Sequence, residues 1–534
     1  MQTFPGVFAP RTWNNPLRPF AGIYRYVPWL KIAKYSTGNN KCRQAIVSLP
    51  EFPAGFGPCI AISQMHSTIA GDRGTVQCMN LVLVHITVTL ASIAFLLMAM
   101  AARHQHRSPQ SAFAWLLFTA VVPYLGVPAY LALGNRKSLP SKRQARFEPG
   151  TGAPAPTPLA SAINKICHRS GLPNGSSGNN VVFLETGSQA HGELARLIDT
   201  AEKSLDLVFY RFDDDEIGHD VVERLIAKAE GGVNVRVLLD GYGSLFRPHR
   251  HLARLEQAGG ELRIFSPLAF YPVRGHVNLR NHRKMVIADN SVVFAGGMNV
   301  GRQYMGRGHG QSEWTDLAYL LQGPCVRDHD QLFAADWARA EGETAPNSAF
   351  MPAFSAGGGS SVQMLPSGPD IAEDVLHDVI VLACYNAMRR ITIVTPYFLP
   401  SSAISGALSI AARRGVDVTL IVPNRSNQRL ADLGRASFLR EMNDAGVKVL
   451  VHPEMVHAKA MLFDDFAMTG SANLDIRSLY VNFEAMLLLF SQSDAQWIAQ
   501  WMARLASQCC PWLPVKGRLR KLPEILFRLA APLM

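Results

Sequence analysis

Two uninterrupted apolar runs come first. Leu81 to Ala102, "LVLVHITVTLASIAFLLMAMAA", holds 22 residues without a formal charge, and "SAFAWLLFTAVVPYLGVPAYLALG" (111–134) is a second such run after a short polar and basic interval. As a helix, each is long enough to cross a hydrocarbon core of ~30 Å, and together they predict a transmembrane hairpin over 79–136 with both ends on one side. Past residue 180 the pattern changes. Short β-branched apolar runs alternate with amphipathic stretches such as "DVVERLIAKAEG" (220–231), the signature of α/β units.

These units occur twice. "LDLVFYRF" (205–212) is matched in pattern by "ITIVTPYF" (391–398), "GVNVRVLL" (232–239) by "GVDVTLIV" (415–422), and "AGGELRIF" (258–265) by "AGVKVLVH" (445–452). The order is conserved between the copies, which predicts two related α/β domains at 181–345 and 360–510. The intervening segments carry the rest of the plan. Residues 137–180 are basic and then rich in Pro, Gly and Ser, as a linker is. Residues 1–78 lack a sustained period and are expected to be a disordered extension, with Met79 as a possible natural start. The tail, 511–534, is basic and then amphipathic, suited either to a membrane surface or to docking.

Charge changes this picture only by its location. Of the net +11, residues 1–80 contribute +6 and residues 81–148 another +6, leaving the repeated region near −1. A duplex-binding protein normally carries its basic footprint on the working domain, so nucleic acid is disfavoured as a partner. The cations Arg136, Lys137, Lys142, Arg143 and Arg146 outnumber Arg103 and Arg107 in the connecting interval, which predicts a multi-pass inner (plasma) membrane protein with its large domain in the cytoplasm and an affinity for anionic lipid. The eight cysteines show no paired metal-ligand spacing and read as thiols of a reducing compartment.

The candidate chemistry sits in the duplicated part. "HRKMVIAD" places His282 and Lys284 two apart with Asp289 at the end; "HAKAMLFD" does the same with His457, Lys459 and Asp464. On an extended chain, residues i and i+2 share a face, so each His emerges beside its Lys, while Asp lies at the strand end, placed to tie down the next turn. "GGMN" and "GSAN" follow, offering Asn299 and Asn473. Imidazole, ammonium and amide, twice over, suit a phosphate: one histidine attacks phosphorus, the other protonates the leaving oxygen, and the lysines neutralise charge without a metal or other cofactor. Asp316 and Glu484 are candidates to orient the two rings or are ordinary strand-end carboxylates. Arg280 and Arg283 either hold a lipid phosphate or solvate the strand.

The paired H-x-K-x4-D segments resemble those of the phospholipase D superfamily. With "VLLDGYGS", "TPYFLP", "GSANLDIRSLYVNFE" and the second apolar run, the resemblance narrows to bacterial cardiolipin synthases, from about residue 79 to the end. It implies two domains related by pseudo-twofold symmetry, a covalent phosphohistidine and an alcohol acceptor. It also implies a catalytic set of His282, Lys284, Asp289, His457, Lys459 and Asp464, with Asn299, Asn473, Asp316 and Glu484 around the substrate. His282 is favoured as nucleophile. The implied activity joins two phosphatidylglycerol molecules into cardiolipin and glycerol. A hydrolytic phospholipase D, a transferase using another alcohol, and an inactive lipid-binding scaffold are the alternatives. The second hairpin is one residue shorter than the first between Asp and Gly, which leaves the placement of Ser471 and Asn473 open.

Overall fold

The computed structural model describes residues 60–102, 109–134, 147, 157–267, 278–306, 314–341, 357–371 and 373–514. The expectations for residues 1–59 and for the tail beyond 514 lie outside them. Helix α1 runs Ile60–Ala102, and its Met79–Ala101 portion is long and apolar enough to cross a membrane. Residues 60–78 are thus helical, against the expectation of a disordered segment reaching to 78. No proline falls between Pro58 and Pro109, and a helix once nucleated propagates at little further cost.

The second apolar run is not one helix. It divides at Val122 into α2 (Pro109–Val121) and α3 (Pro123–Leu133). Pro123 supplies the physical reason: the residue before a proline is driven out of the α region, and Val122 has left it at φ −132° and ψ 68°.

The catalytic-type part follows. In order it comprises α4 (Pro158–Arg169), β1 (Ser176–Leu184), α5 (Gly187–Thr200), β2 (Ser204–Phe209), α6 (Glu216–Glu230), β3 (Asn234–Asp240), α7 (His249–Gln257), β4 (Glu261–Phe265), β5 (Met285–Ala288), β6 (Val292–Gly296), α8 (Arg302–Met305), β7 (Ala318–Gln322) and α9 (Val326–Glu341). The second half continues with β8 (Ser360–Ser367), α10 (Val375–Asn386), β9 (Arg390–Val394), β10 (Phe398–Leu399), α11 (Ser402–Arg413), β11 (Asp417–Pro423), α12 (Arg429–Asp444), β12 (Lys448–His452), β13 (Ala460–Phe463), β14 (Phe466–Gly470), β15 (Leu474–Asp475), α13 (Ile476–Tyr480), β16 (Glu484–Leu489), α14 (Gln492–Ser507) and β17 (Cys510–Pro511).

Fifteen of these strands form one sheet, ordered β17-β12-β11-β9-β13-β14-β16-β8-β1-β7-β6-β5-β2-β3-β4. Outward from the central antiparallel β1–β8 pair, the two arms carry equivalent strands in mirrored order. The repeated segments of the sequence fall on β2 and β9, β3 and β11, β4 and β12. Each of these triplets pairs in parallel, and each half adds an antiparallel hairpin, β5–β6 or β13–β14. The sheet is covered by helices, so the strands read as near-continuous apolar runs buried on both faces; β2, β5, β13 and β14 are almost wholly buried.

Within the stretch expected to be a linker, Pro158–Arg169 form α4. Thr157 caps α4 by accepting from the Ala160 N–H, with Pro158 in the first turn. Ala160, Ile163 and Cys167 give α4 a buried stripe, which joins the core of the second half beneath α10 and α11.

Candidate active site

His282 and Lys284 lie on the extended segment entering β5, and His457 and Lys459 on the equivalent segment entering β13. Both segments pair across the halves. Asn281 bridges Phe483 in parallel, with the His282 N–H donating to the Phe483 carbonyl at 2.9 Å; Thr315 bridges Val456, with the His457 N–H donating to the Thr315 carbonyl at 2.7 Å. Backbone hydrogen bonds therefore draw each histidine against a strand of the opposite half.

The carboxylates complete the exchange. Glu484, first residue of β16, takes His282 Nδ1 at 3.0 Å. Asp316, two residues before β7, takes His457 Nδ1 at 2.6 Å. Each half thus orients the other half's imidazole, and both carboxylates are fully buried. With Nδ1 engaged, Nε2 is the nitrogen left for a substrate on His282, whereas His457 Nε2 also has Lys459 Nζ at 3.2 Å. Lys284 Nζ is held by the His282 carbonyl, and Lys459 Nζ by the His457 carbonyl, with His457 Nδ1 2.8 Å from it. The charges reach across: Lys459 acts on His282 and Lys284 on His457.

Burial dominates the electrostatics. Desolvation pushes His282 down to about 4 against the opposing pull of Glu484, and His457 down to about 3, helped by Lys459. Burial also takes the Lys284 ammonium well below its usual value and Lys459 to about 8. For Glu484 and Asp316 burial acts upward, but the surrounding imidazoles and ammoniums outweigh it, and both carboxyls stay below their usual range. Near neutral pH the site is two neutral imidazoles held by two carboxylates between two buried amines.

Asp289 and Asp464, carried over as catalytic, are elsewhere. Asp289 lies five residues beyond Lys284, ~16 Å along an extended chain, where it accepts from the N–H groups of Glu202, Lys203 and Ser204 at 2.9, 2.6 and 2.8 Å. Asp464 does the same for Met388, Arg389 and Arg390 at 2.7, 2.9 and 2.9 Å. Each sits at positive φ, 49° and 52°, at the tip of its hairpin. The strand-end tether read from the residues describes them, and the catalytic role does not. Carboxylates that touch the imidazoles come instead from Asp316 and Glu484.

Arg280 and Arg283 do not solvate a strand. Arg283 is wholly buried, with its guanidinium 2.5 Å from Asp336, donating to the carbonyls of Glu484 and Ser367, and lying over the Phe483 ring. Arg280 is buried beside Asp240 at 3.6 Å. The shorter second hairpin leaves the site's register intact: β5–β6 closes over Asp289–Ser291 and β13–β14 over Asp464–Asp465, while Gly296 and Gly470 keep equivalent partners in β7 and β16.

The residues after those glycines differ. A side chain on Gly297 would overlap the Asp316 carboxylate, whereas Ser471 donates to Glu484 Oε2 at 2.6 Å. Asn299 is buried, its amide oxygen held by the Arg211 N–H at 3.1 Å. Asn473 is buried beside Asp475 with its Oδ1 lacking a hydrogen-bond partner. Aromatic rings, missed in the sequence, wall both imidazoles: Tyr210 packs on His282 at 4.8 Å, Tyr304 and Trp314 on His457 at 5.1 and 5.5 Å. Tyr210 had a signal, since a tyrosine stands near the end of this repeated segment in both copies, Tyr210 in the first and Tyr397, one position further on, in the second.

Comparison with known proteins agrees with this architecture. Residues 194–337 and 382–506 match the family described as cardiolipin synthase, PLD-like domain, and residues 87–135 match the phospholipase D-nuclease N-terminal family. The chain is 32% identical over 428 residues to the cardiolipin synthase of Halalkalibacterium halodurans, covering 77% of this chain and 84% of that one. It is 31% identical over 413 residues to cardiolipin synthase A of Pectobacterium carotovorum, covering 72% and 84%. Among solved structures, phosphatidylserine synthase of Haemophilus influenzae superposes with a TM-score of 0.51 at 15% identity, over 66% of this chain and 92% of that one, a likeness of fold. Two duplicated α/β halves exchanging histidine partners, with relatives alike over most of their length, assign this chain to the cardiolipin synthases of the phospholipase D superfamily.

Proposed function

We propose that the chain converts two phosphatidylglycerol molecules into cardiolipin and glycerol through a phosphatidyl-histidine intermediate. The observation that carries the reading is the reciprocal pairing of His282 with Glu484 and His457 with Asp316. It leaves two Nε2 atoms with opposite tasks and a fixed tautomer for each ring. His282 Nε2 attacks phosphorus and the P–O bond to glycerol breaks, while His457 delivers a proton to the departing oxygen. A phosphodiester anion entering the site raises the proton affinity of His457, which is otherwise neutral. The primary hydroxyl of a second phosphatidylglycerol then gives its proton to His457 and displaces His282 from phosphorus. Lys284, Lys459 and the buried amides Asn299 and Asn473 surround the non-bridging oxygens, supplying the charge that an oxyanion requires.

Burial pushes His282 to about 4 and His457 to about 3, which does not separate the two rings. What favours His282 as nucleophile is Ser471. Its hydroxyl shares the Glu484 oxygen, so that carboxylate stabilises an imidazolium less, whereas Gly297 offers Asp316 no such donor. The membrane-competent helix keeps the site beside lipids that rarely leave the bilayer, and the catalytic part lies on the cytoplasmic face. Purified protein with phosphatidylglycerol alone is expected to yield cardiolipin and glycerol in equal amounts by mass spectrometry of the lipids. Phosphatidic acid without cardiolipin would contradict the transferase reading.

A further inference from the structure

The apolar segment after α1 folds back on itself. Trp115 of α2 and Tyr130 of α3 meet edge to face with ring centroids 5.3 Å apart, although fifteen residues of straight helix would separate them by ~22 Å. Gly126 lies against Thr119 so closely that a Cβ there would come within 2.8 Å of the Thr119 Cα. The turn is closed by the Leu125 and Gly126 N–H groups donating to the Val122 carbonyl. The hairpin lies along α1: Leu96 is buried with Trp115 and Tyr130, and His85 Nδ1 is 3.4 Å from the Tyr124 hydroxyl at the turn.

Neither arm spans a bilayer. Helix α2 has 13 residues and α3 has 11, ~20 and ~16 Å at 1.5 Å per residue, against a core of ~30 Å. Its tip stops beside His85, six residues short of Met79, or ~9 Å along α1. Yet the outer face of the hairpin is apolar and uncovered, with Phe113, Leu117 and Val121 recurring at four-residue spacing on α2 and Leu125 at the tip. Acyl chains are the occupant such a face fits, because both neighbouring ends carry cations: Arg103 and Arg107 before α2, and Arg136, Lys137, Lys142, Arg143 and Arg146 after α3.

We infer that α2–α3 is a re-entrant hairpin that enters the membrane from the cytoplasmic face and returns to it, so that only α1 crosses. The charge pattern agrees with this better than with two crossings. A second crossing would put Arg103 and Arg107 outside, against the positive-inside tendency. A returning hairpin puts all seven cations on one side, and on the other the part of α1 that precedes Met79, where Arg73 stands beside Asp72; the remaining lysines and arginines, at 11 to 43, lie farther from the span than the roughly 15–20 residues over which the tendency is counted.

The test is accessibility to a membrane-impermeant maleimide. In the full chain with native cysteines changed to serine, single substitutions Gln77→Cys, Gln105→Cys and Ser138→Cys are compared in intact spheroplasts and in inverted vesicles. The expected result is labelling of Gln77→Cys only in spheroplasts and of the other two only in inverted vesicles. Labelling of Gln77→Cys and Ser138→Cys from the same face would overturn the proposal, whether Gln105→Cys labels with them or opposite them. Should the cysteine-free chain not accumulate, epitope tags at the two ends of the native chain decide the same point. Tags on opposite faces support one crossing, and tags on one face contradict it.

Discussion

At the scale of the residue, the site is governed by two neutral imidazoles whose Nδ1 atoms are fixed by carboxylates from the opposite half. Glu484→Gln removes the charge that holds His282 while preserving size, and is expected to lower kcat by roughly 10²–10⁴ with little change in KM, measured as the initial rate of cardiolipin formation. The pH profile of kcat/KM follows from the same environment. His282 keeps its lone pair until the pH falls to about 4, and Lys459 keeps its proton until the pH rises to about 8. Activity should therefore fall on both sides of that window, and an alkaline limb that persists unchanged in Lys459→Arg would contradict the assignment, since arginine stays protonated.

At the scale of the element, Asp289 and Asp464 act as staples between hairpin tips and the starts of β2 and β9. Burial works to raise both pKa values, but three backbone N–H donors apiece outweigh it and hold both below the usual value. A depressed folded pKa stabilises above the unfolded value of 3.8 and is lost as the pH falls through the folded one. The buried histidines act in the same direction at higher pH: neutral when folded, they protonate near 6.5 when unfolded, so stability should decline as the pH drops from about 6.5 toward 4. Asp289→Ala is expected to cost about 1–2 kcal/mol, discounted because the turn is solvent-exposed. That loss should appear as a lower Tm, with kcat retained at temperatures where the variant is folded.

These elements also show what the sequence made legible. Repetition located β2 through β4 and their counterparts, and the H-x-K spacing located the four groups at the reaction centre, because a two-residue period is a local property. The partners of those histidines were harder to read. Asp316 and Glu484 stand 141 and 202 residues from the rings they hold, and only the exchange between halves makes them neighbours. The reversal at Val122 was hidden by continuous hydrophobicity, although Pro123 and Gly126 marked it.

For the whole molecule, the joint between the halves is ionic as well as apolar. Arg283 and Arg339 share Asp336, Arg339 also reaches Asp370 at 3.0 Å, and Asn281 donates to Asp336 at 2.8 Å, with Asn281, Arg283, Asp336 and Asp370 buried. Removing one partner from such a network strands the remaining charges in a dry interior. Arg283→Met is expected to cost about 3–5 kcal/mol, seen in thermal unfolding, and to displace Glu484, whose carbonyl Arg283 holds at 3.1 Å. The same connection explains why each half alone lacks a complete site.

The most direct measurement is capture of the covalent intermediate. Wild-type protein, quenched at alkaline pH during turnover of phosphatidylglycerol and digested for mass spectrometry, should carry an acid-labile phosphatidyl group on His282, while His282→Ala carries none. An adduct on a residue other than His282, or turnover at the full rate by His282→Ala, would contradict the account.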